Sequence, residues 1–157
     1  MWCLLECGHQ NGVLLTVRKD EQKALYSLLW PENTVDLAGL LRAYNKDDGP
    51  EHGAEAIALL LVREQTNYTA IQRSVTSTGI DYWLGYKEDV IDGQIFSSRN
   101  ARLEVSGILR QSAANRVQER VRRKIQQTKR SDSATFPAYI VVVEFSQPVA
   151  EVTFRYV

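Results

Sequence analysis

The stretch that decides the fold reads Ala101-Arg102-Leu103-Glu104-Val105-Ser106-Gly107-Ile108-Leu109. Polar and apolar residues alternate in it, and a period of two is typical of a β-strand, whose successive side chains point to opposite faces. We therefore predict a strand over Ala101–Leu109, with Arg102, Glu104 and Ser106 on one face and apolar residues on the other. A strand of this kind has one face suited to a core and one face suited to polar chemistry.

The segments after this strand predict a helix and two further strands. Ser112 to about Lys129 carries an apolar residue at every fourth position, which predicts a helix with one buried stripe. Tyr139–Phe145 is an apolar, β-branched run of the kind found in strands buried on both faces. Val149–Val157 alternates as a half-buried strand does. The helix between two buried strands predicts a crossover that joins parallel neighbours.

The segments before it predict a helix and a pair of strands. Gly53–Gln65 is apolar on most sides and is expected to be a largely buried helix. Thr69–Val75 and Gly79–Tyr86 are expected to be strands joined by a short turn, and Lys87–Ser98 a polar loop. The resulting order is helix, three strands, helix, two strands.

The first 48 residues are expected to be an extension of hairpin and helices. Apolar residues flank Asn11-Gly12, a dipeptide that favours tight hairpin turns, so we predict a hairpin over Trp2–Val17. Helical spacing predicts helices over Glu21–Leu29 and Val35–Tyr44, and Asn45–Pro50 is typical of a loop. We place a change of subregion at this loop.

Length and composition predict one domain over residues 1–157. The order of the predicted elements makes it an α/β domain, with an N-terminal part at 1–48 and a core at 49–157 that has a mixed central sheet flanked by helices. The 19 basic and 19 acidic residues cancel, so net charge favours neither nucleic acid nor membrane as a partner. No apolar run is long enough to span a bilayer, no secretory signal is recognised, and only two cysteines are present. We expect a cytoplasmic protein with no membrane partner.

Acidic side chains on neighbouring predicted strands suggest a metal site. If the strand that contains Asp81 lies beside the strand that contains Glu104, both carboxylates point into one cleft. Closely held carboxylate oxygens are the ligands that Mg²⁺ takes in proteins. Asp81 and Glu104 are therefore the predicted metal ligands, with Glu55 on the preceding helix placed to complete or orient the site.

The arrangement resembles the PD-(D/E)XK, or restriction-endonuclease-like, nuclease superfamily, whose core runs helix, three strands, helix, strand. The resemblance covers about Gly53–Phe145. It implies that Asp81 and Glu104 match the two metal-binding acids, and that Glu55 matches an acid that some members carry on the first helix. It also implies Mg²⁺ as the cofactor and nucleic acid as the substrate.

Ser106 stands where the superfamily has its lysine, and a serine lacks the positive charge that helps to position or activate water. Two replacements are open. Arg102 faces the same way as Glu104, although its pKa is too high for proton transfer, and Lys124 or Lys87 can reach the site from a new position. The candidate catalytic set is therefore Asp81, Glu104, Ser106, Arg102 and Glu55.

The helical segment 110–130 is strongly basic and carries Glu119 as its single glutamate. Arg116, Arg120 and Arg123 recur at helical spacing, and Lys124 adjoins them, so this segment is the predicted nucleic-acid contact. A solvated outer face and an acidic protein partner are the other two interpretations.

Three functions are consistent with these observations. The first is a nuclease-like domain, non-catalytic or catalytically altered, that binds nucleic acid or a protein. The second is an active Mg²⁺-dependent phosphodiesterase with a relocated lysine. The third is a protein-interaction scaffold with no nucleic-acid role, such as a component of a bacterial phage-defence system, which follows from analogy at the level of the fold alone.

Overall fold

A computed structural model describes residues 1–31, 36–90 and 98–156. Its helices are α1 (Trp2–Glu6), α2 (Leu37–Ala43), α3 (Gly49–Gln65) and α4 (Val117–Thr128). Its strands are β1 (Val13–Lys19), β2 (Gln22–Leu28), β3 (Tyr68–Arg73), β4 (Tyr82–Tyr86), β5 (Ala101–Ile108), β6 (Ala138–Glu144) and β7 (Val149–Arg155). Short 3-10 turns occupy Lys87–Asp89 and Lys129–Ala134.

The chain forms an α/β structure around one seven-stranded mixed sheet in the order β2-β1-β7-β6-β5-β4-β3. β5 and β6 are parallel, as the predicted crossover requires, and β1 and β7 are also parallel. The remaining neighbours are antiparallel. No helix within the described residues is long and apolar enough to cross a membrane.

The core lies on both faces of the central strands β5 and β6, in which every residue is buried. On one face Leu103 and Val105 pack with the apolar side of α3. On the other face Ile108 packs with Val117 and Val121 of α4. The predicted strands and helices from α3 onward are confirmed, with boundaries that differ by a few residues.

Two predictions for the first 48 residues are wrong. Residues 2–6 form a helix rather than a strand, and the segment predicted as a helix over Glu21–Leu29 is strand β2. The hairpin joins β1 to β2 and turns at Asp20, whose φ is 54°. Asn11 instead stabilises the open end of this hairpin. Its side chain accepts a hydrogen bond from the backbone N–H of Trp30 and donates one to the carbonyl of the same residue.

The physical reason for the second error is that the apolar residues of β2 fit both the helical period of about 3.6 residues and the strand period of two. Tyr26 and Leu28 face α3 and the core, whereas Leu25 remains 65% exposed on the opposite face of the hairpin. The predicted helix over Val35–Tyr44 is observed as α2, although Val35 itself lies outside the described residues, as do residues 91–97 of the predicted loop.

Gly107 sets how closely α3 approaches the sheet. A Cβ atom at this position of β5 would lie 1.9 Å from the carbonyl oxygen of Pro50, in the first turn of α3. Only a glycine therefore lets the start of the helix rest on the strand. The contact places Glu51, the next residue of that turn, beside the backbone of β5.

We predict that Gly107→Ala destabilises the protein by about 1–3 kcal/mol, because the helix start must move away from the strand. Urea unfolding followed by circular dichroism measures the change. A midpoint equal to that of the unmodified chain would show that α3 can shift without cost and would contradict this account of the contact.

Candidate active site

Helix α4 crosses β5 so that three polar side chains of the strand each meet a residue of the helix, two through its side chain and one through its backbone carbonyl. Four residues of helix, slightly more than one turn, rise about 6 Å, and two residues of strand rise about 6.6 Å, so every fourth helix position can meet every second strand position. The α4–β5 polar pairs are Arg120 with Ser106, Lys124 with Glu104, and Thr128 with Arg102.

The middle pair joins Lys124 to Glu104. Nζ of Lys124 lies 2.5 Å from Oε1 of Glu104. The Glu104 side chain is fully buried and that of Lys124 is 17% exposed. The second oxygen, Oε2 of Glu104, is buried and meets no hydrogen-bond donor among the described residues. The structure thus brings one of the two predicted replacement lysines to the acid, whereas Lys87 lies exposed beyond the opposite end of β4.

Asp81 joins this pair from the start of β4. The strand pairs with β5 only as far as Leu103, so the backbone N–H of Val105 has no strand partner on that side. Oδ2 of Asp81 accepts this N–H at 2.7 Å, which fixes the carboxylate against the strand. Asp81 also lies close enough to Glu104 for its charge to raise the pKa of that carboxyl group. Asp81 and Glu104, the acid pair, lie together as their strand positions suggested.

The acid pair holds a proton near neutral pH. Burial raises the pKa of Glu104 to about 8, with a further rise from the neighbouring Asp81 and an opposing effect of Lys124. Burial also raises the pKa of Asp81, against the stabilising N–H of Val105 and the charge of Lys124. Two carboxyl groups that contact each other in a buried site cannot both ionise freely.

Ser106 does not replace the missing lysine but links α3 to α4. Its hydroxyl donates to Oε1 of Glu51 at 3.1 Å and accepts from Nη1 of Arg120 at 2.8 Å. Oε2 of Glu51 accepts the N–H of Gly107 at 3.0 Å. Glu51 therefore caps the next free N–H of β5 after the one that Asp81 takes.

Sequence reasoning missed Glu51 because it began the helix at Gly53. The signal was present, since a proline favours the first turn of a helix and Pro50 immediately precedes Glu51. Started at that turn, the helix carries Glu51 and Glu55 one turn apart on one side.

Glu55 lies beside the acid pair, but both of its carboxylate oxygens lie close to other side chains. Its Oε1 accepts from Arg73 at 2.8 Å, and its other oxygen lies 3.6 Å from Nδ1 of His52. The charge of Glu55 also contributes to the raised pKa values of Asp81 and Tyr82. Among the described residues there is no group of three or more acidic, His or Cys side chains arranged to hold a metal ion.

The structure places Arg102 outside the acid cluster. Although it shares the strand face of Glu104, its guanidinium turns to the C-terminal end of α4 and lies beside Asp132, with which it pairs at 3.2 Å. It also donates to the backbone carbonyls of Thr128 and Phe136. Arg155 pairs with the same Asp132. Arg102 thus stabilises the fold and is too far along the strand to replace the lysine.

The basic residues predicted to form one face of segment 110–130 fall into two groups, one that contacts β5 and one that is exposed. Arg120 and Lys124 point inward to β5, whereas Arg116, at the N-cap position of α4, and Arg123 are exposed. The exposed basic surface that remains on and just after α4 comprises Arg116, Arg122, Arg123, Lys129 and Arg130. The sequence pattern did not separate these two groups, because all of them recur at spacings that a helix brings together.

Comparison of the chain with protein-family models, with curated proteins and with solved structures gave no match. The chemistry must therefore be inferred from the arrangement itself. It consists of two neighbouring carboxyl groups whose pKa values burial raises, a lysine ammonium bonded to one of them, and an arginine one helical turn away.

Glu104→Gln should remove a pH dependence of stability. In the unfolded chain a glutamate ionises near pH 4.3, and in the folded chain burial raises the pKa of Glu104 to about 8. The folded state thus binds the proton more tightly, and its stability falls as the pH rises from about 5 to about 8. Glutamine stays neutral, so the free energy of unfolding of the variant should vary less over this range.

Urea unfolding at several pH values in this range makes the comparison, with Glu119→Gln on the exposed side of α4 as the matched control. The control should follow the pH curve of the unmodified chain. Parallel curves for all three proteins would mean that Glu104 ionises normally.

Proposed function

We propose that Asp81, Glu104 and Lys124 form the active site of a Mg²⁺-dependent phosphodiesterase that acts on nucleic acid. The observation that carries this proposal is the position of Lys124. Its Nζ lies 2.5 Å from Glu104, on the strand face where Ser106 occupies the position that a lysine has in the nuclease motif. An acid pair next to a lysine is the set of groups that metal-assisted hydrolysis of a phosphodiester requires.

The residues fit a magnesium ion. Oε2 of Glu104 is buried with no donor among the described residues, and the acid pair keeps a proton that a divalent cation would replace. Mg²⁺ is commonly bound through one or two carboxylates and keeps its other ligands as water, so Asp81 and Glu104 suffice to hold it. When bound, it polarises a phosphoryl oxygen and lowers the pKa of water.

The chain's own residues supply orientation and charge. The N–H of Val105 fixes Asp81, and the α4–β5 packing fixes Lys124. The ammonium group has three hydrogens, so it can bind Glu104 and still donate to a water molecule or a phosphoryl oxygen. In a site where Glu104 is fully buried, such a donor is stronger than it would be in water.

The order of elements supports a restriction-endonuclease-like core as the finer description of the fold. α3, β3, β4, β5, α4 and β6 follow the order helix, three strands, helix, strand, with Asp81 at the start of β4 and Glu104 within β5. In this proposal the β1–β2 hairpin and β7 extend the sheet beyond β6. The exposed arginines on α4 support nucleic acid as the partner, because cations there can contact phosphates.

The alternative proposal is a domain of the same fold that binds nucleic acid or a protein without catalysis. It is supported by Ser106 in the lysine position and by the pairing of Glu51 and Glu55 with Arg120 and Arg73. In that case the acid cluster serves only to join α3, β5 and α4.

Mg²⁺ binding separates the two proposals. We expect saturable binding by calorimetry at neutral pH with release of a proton, because burial raises the pKa of Glu104 to about 8 and the cation binds the ionised carboxylate. Titration in two buffers of different ionisation enthalpy counts the protons. Asp81→Asn combined with Glu104→Gln should abolish the signal, and Asp47→Asn combined with Glu119→Gln, both exposed, should retain it. No binding by the unmodified chain would favour the non-catalytic alternative.

Lys124→Met tests the relocated lysine. We expect cleavage of DNA or RNA in Mg²⁺ to fall by about a hundredfold or more, the usual effect of removing one donor to transition-state charge. Mg²⁺ binding should persist, since the acid pair is intact. Lys23→Met removes an exposed lysine of the edge strand β2, away from β5 and α4, and is the matched control. Equal cleavage rates for the two variants would exclude Lys124 from catalysis.

A further inference from the structure

Arg120 is a second cation of the site, one turn before Lys124 on α4, and its guanidinium is held in place on several sides. Nη1 donates to Ser106 at 2.8 Å and Nη2 donates to Asn115 at 2.9 Å. Oε1 of Glu51 lies 3.6 Å from Nη1, too far for a hydrogen bond but close enough for an ion pair. The group is therefore fixed before any ligand arrives.

Not all of its hydrogen-bonding capacity is used. A guanidinium group has five N–H donors. Two of them bind Ser106 and Asn115, and Nε is buried with no acceptor among the described residues. A planar, permanently charged fork with free donors is the side chain best suited to two oxygens of one phosphate group.

The α4–β5 register determines where this fork lies relative to the acid pair. Arg120 lies over Ser106, and Lys124 lies over Glu104, two residues away on the same strand face. These strand positions are about 6.6 Å apart, a distance that one phosphodiester group and a bound cation can bridge. Ser106 thus has a function in place of the lysine, since it positions the arginine.

We propose that Arg120 is the phosphate-binding group of this site and contacts a non-bridging oxygen of the phosphodiester that the acid pair and Lys124 act on. This inference rests on the proposed function and adds the subsite that recognises the substrate. Two residues of α4 then take over the role of the motif lysine. Lys124 places a positive charge at the acid pair, and Arg120 places one at the phosphate.

In this proposal the negative charge of Glu51 weakens phosphate binding. Among the described residues, its carboxylate is the acidic group that forms an ion pair with Arg120. Its negative charge repels a phosphate group that approaches the same guanidinium. Glu51→Gln keeps one oxygen that can accept the N–H of Gly107, turns an amide N–H toward the Ser106 hydroxyl, which can accept it, and removes the charge. Phosphate binding should therefore become tighter in this variant, whereas a purely structural network would bind no better after the change.

The experiment measures the binding of a short fluorescein-labelled DNA duplex, and of an RNA of the same sequence, by anisotropy in Ca²⁺. We expect Arg120→Met to weaken binding by about tenfold to a hundredfold, the effect of losing charged hydrogen bonds. Arg120→Lys should weaken it less, and Glu51→Gln should strengthen it. Arg63→Met, an exposed arginine on α3 outside the site, is the matched control, and thermal unfolding verifies that each variant folds.

Equal binding by Arg120→Met and Arg63→Met would overturn the proposal, as would weaker binding by Glu51→Gln or no binding of either nucleic acid by the unmodified chain. Cleavage is measured separately on the same proteins. If the unmodified chain binds but does not cleave, and Arg120→Met loses binding, then the proposed catalysis fails while the phosphate subsite stands.

Discussion

Three polar side chains are fully buried on one face of β5, and the rest of the structure must satisfy them. Arg102, Glu104 and Ser106 have no exposed surface. A buried polar group without partners costs several kcal/mol, and a buried charge costs more. Helix α4 supplies one partner to each of the three groups in order, because four helix residues and two strand residues advance by nearly the same distance. The position of α4 is therefore set by charge and hydrogen bonding as well as by its apolar stripe.

The two ends of this arrangement differ in their chemistry. At the Arg102 end, Asp132 compensates the arginine and is shared with Arg155, so the groups form a stable network. At the Glu104 end, β4 stops pairing with β5, and carboxylates from neighbouring elements bind the free backbone N–H groups. This concentrates acids around one lysine and one arginine. The candidate site thus arises where sheet pairing ends, and the surplus of acid there is what a cation would neutralise.

The central strands and the face shared by Glu104 and Ser106 could be predicted because a period of two is a local property of the sequence. The meeting of Asp81 with Glu104 followed from placing their strands side by side. The partners of Arg102 could not be predicted, since Asp132 lies 30 residues away in a turn whose position depends on the packed helix. Strand β2 was mistaken for a helix because Ala24, Leu25 and Leu28 suit both periods, and only pairing with β1 decides between them.

The most direct test of the account is a crystal structure of the protein soaked in Mn²⁺, with anomalous diffraction to locate the metal. The account predicts one anomalous peak between the carboxylates of Asp81 and Glu104, with the amine of Lys124 still beside it. A peak elsewhere, or none while Glu104 remains bonded to Lys124, would contradict it and would leave the buried acids as part of the packing between β5 and α4.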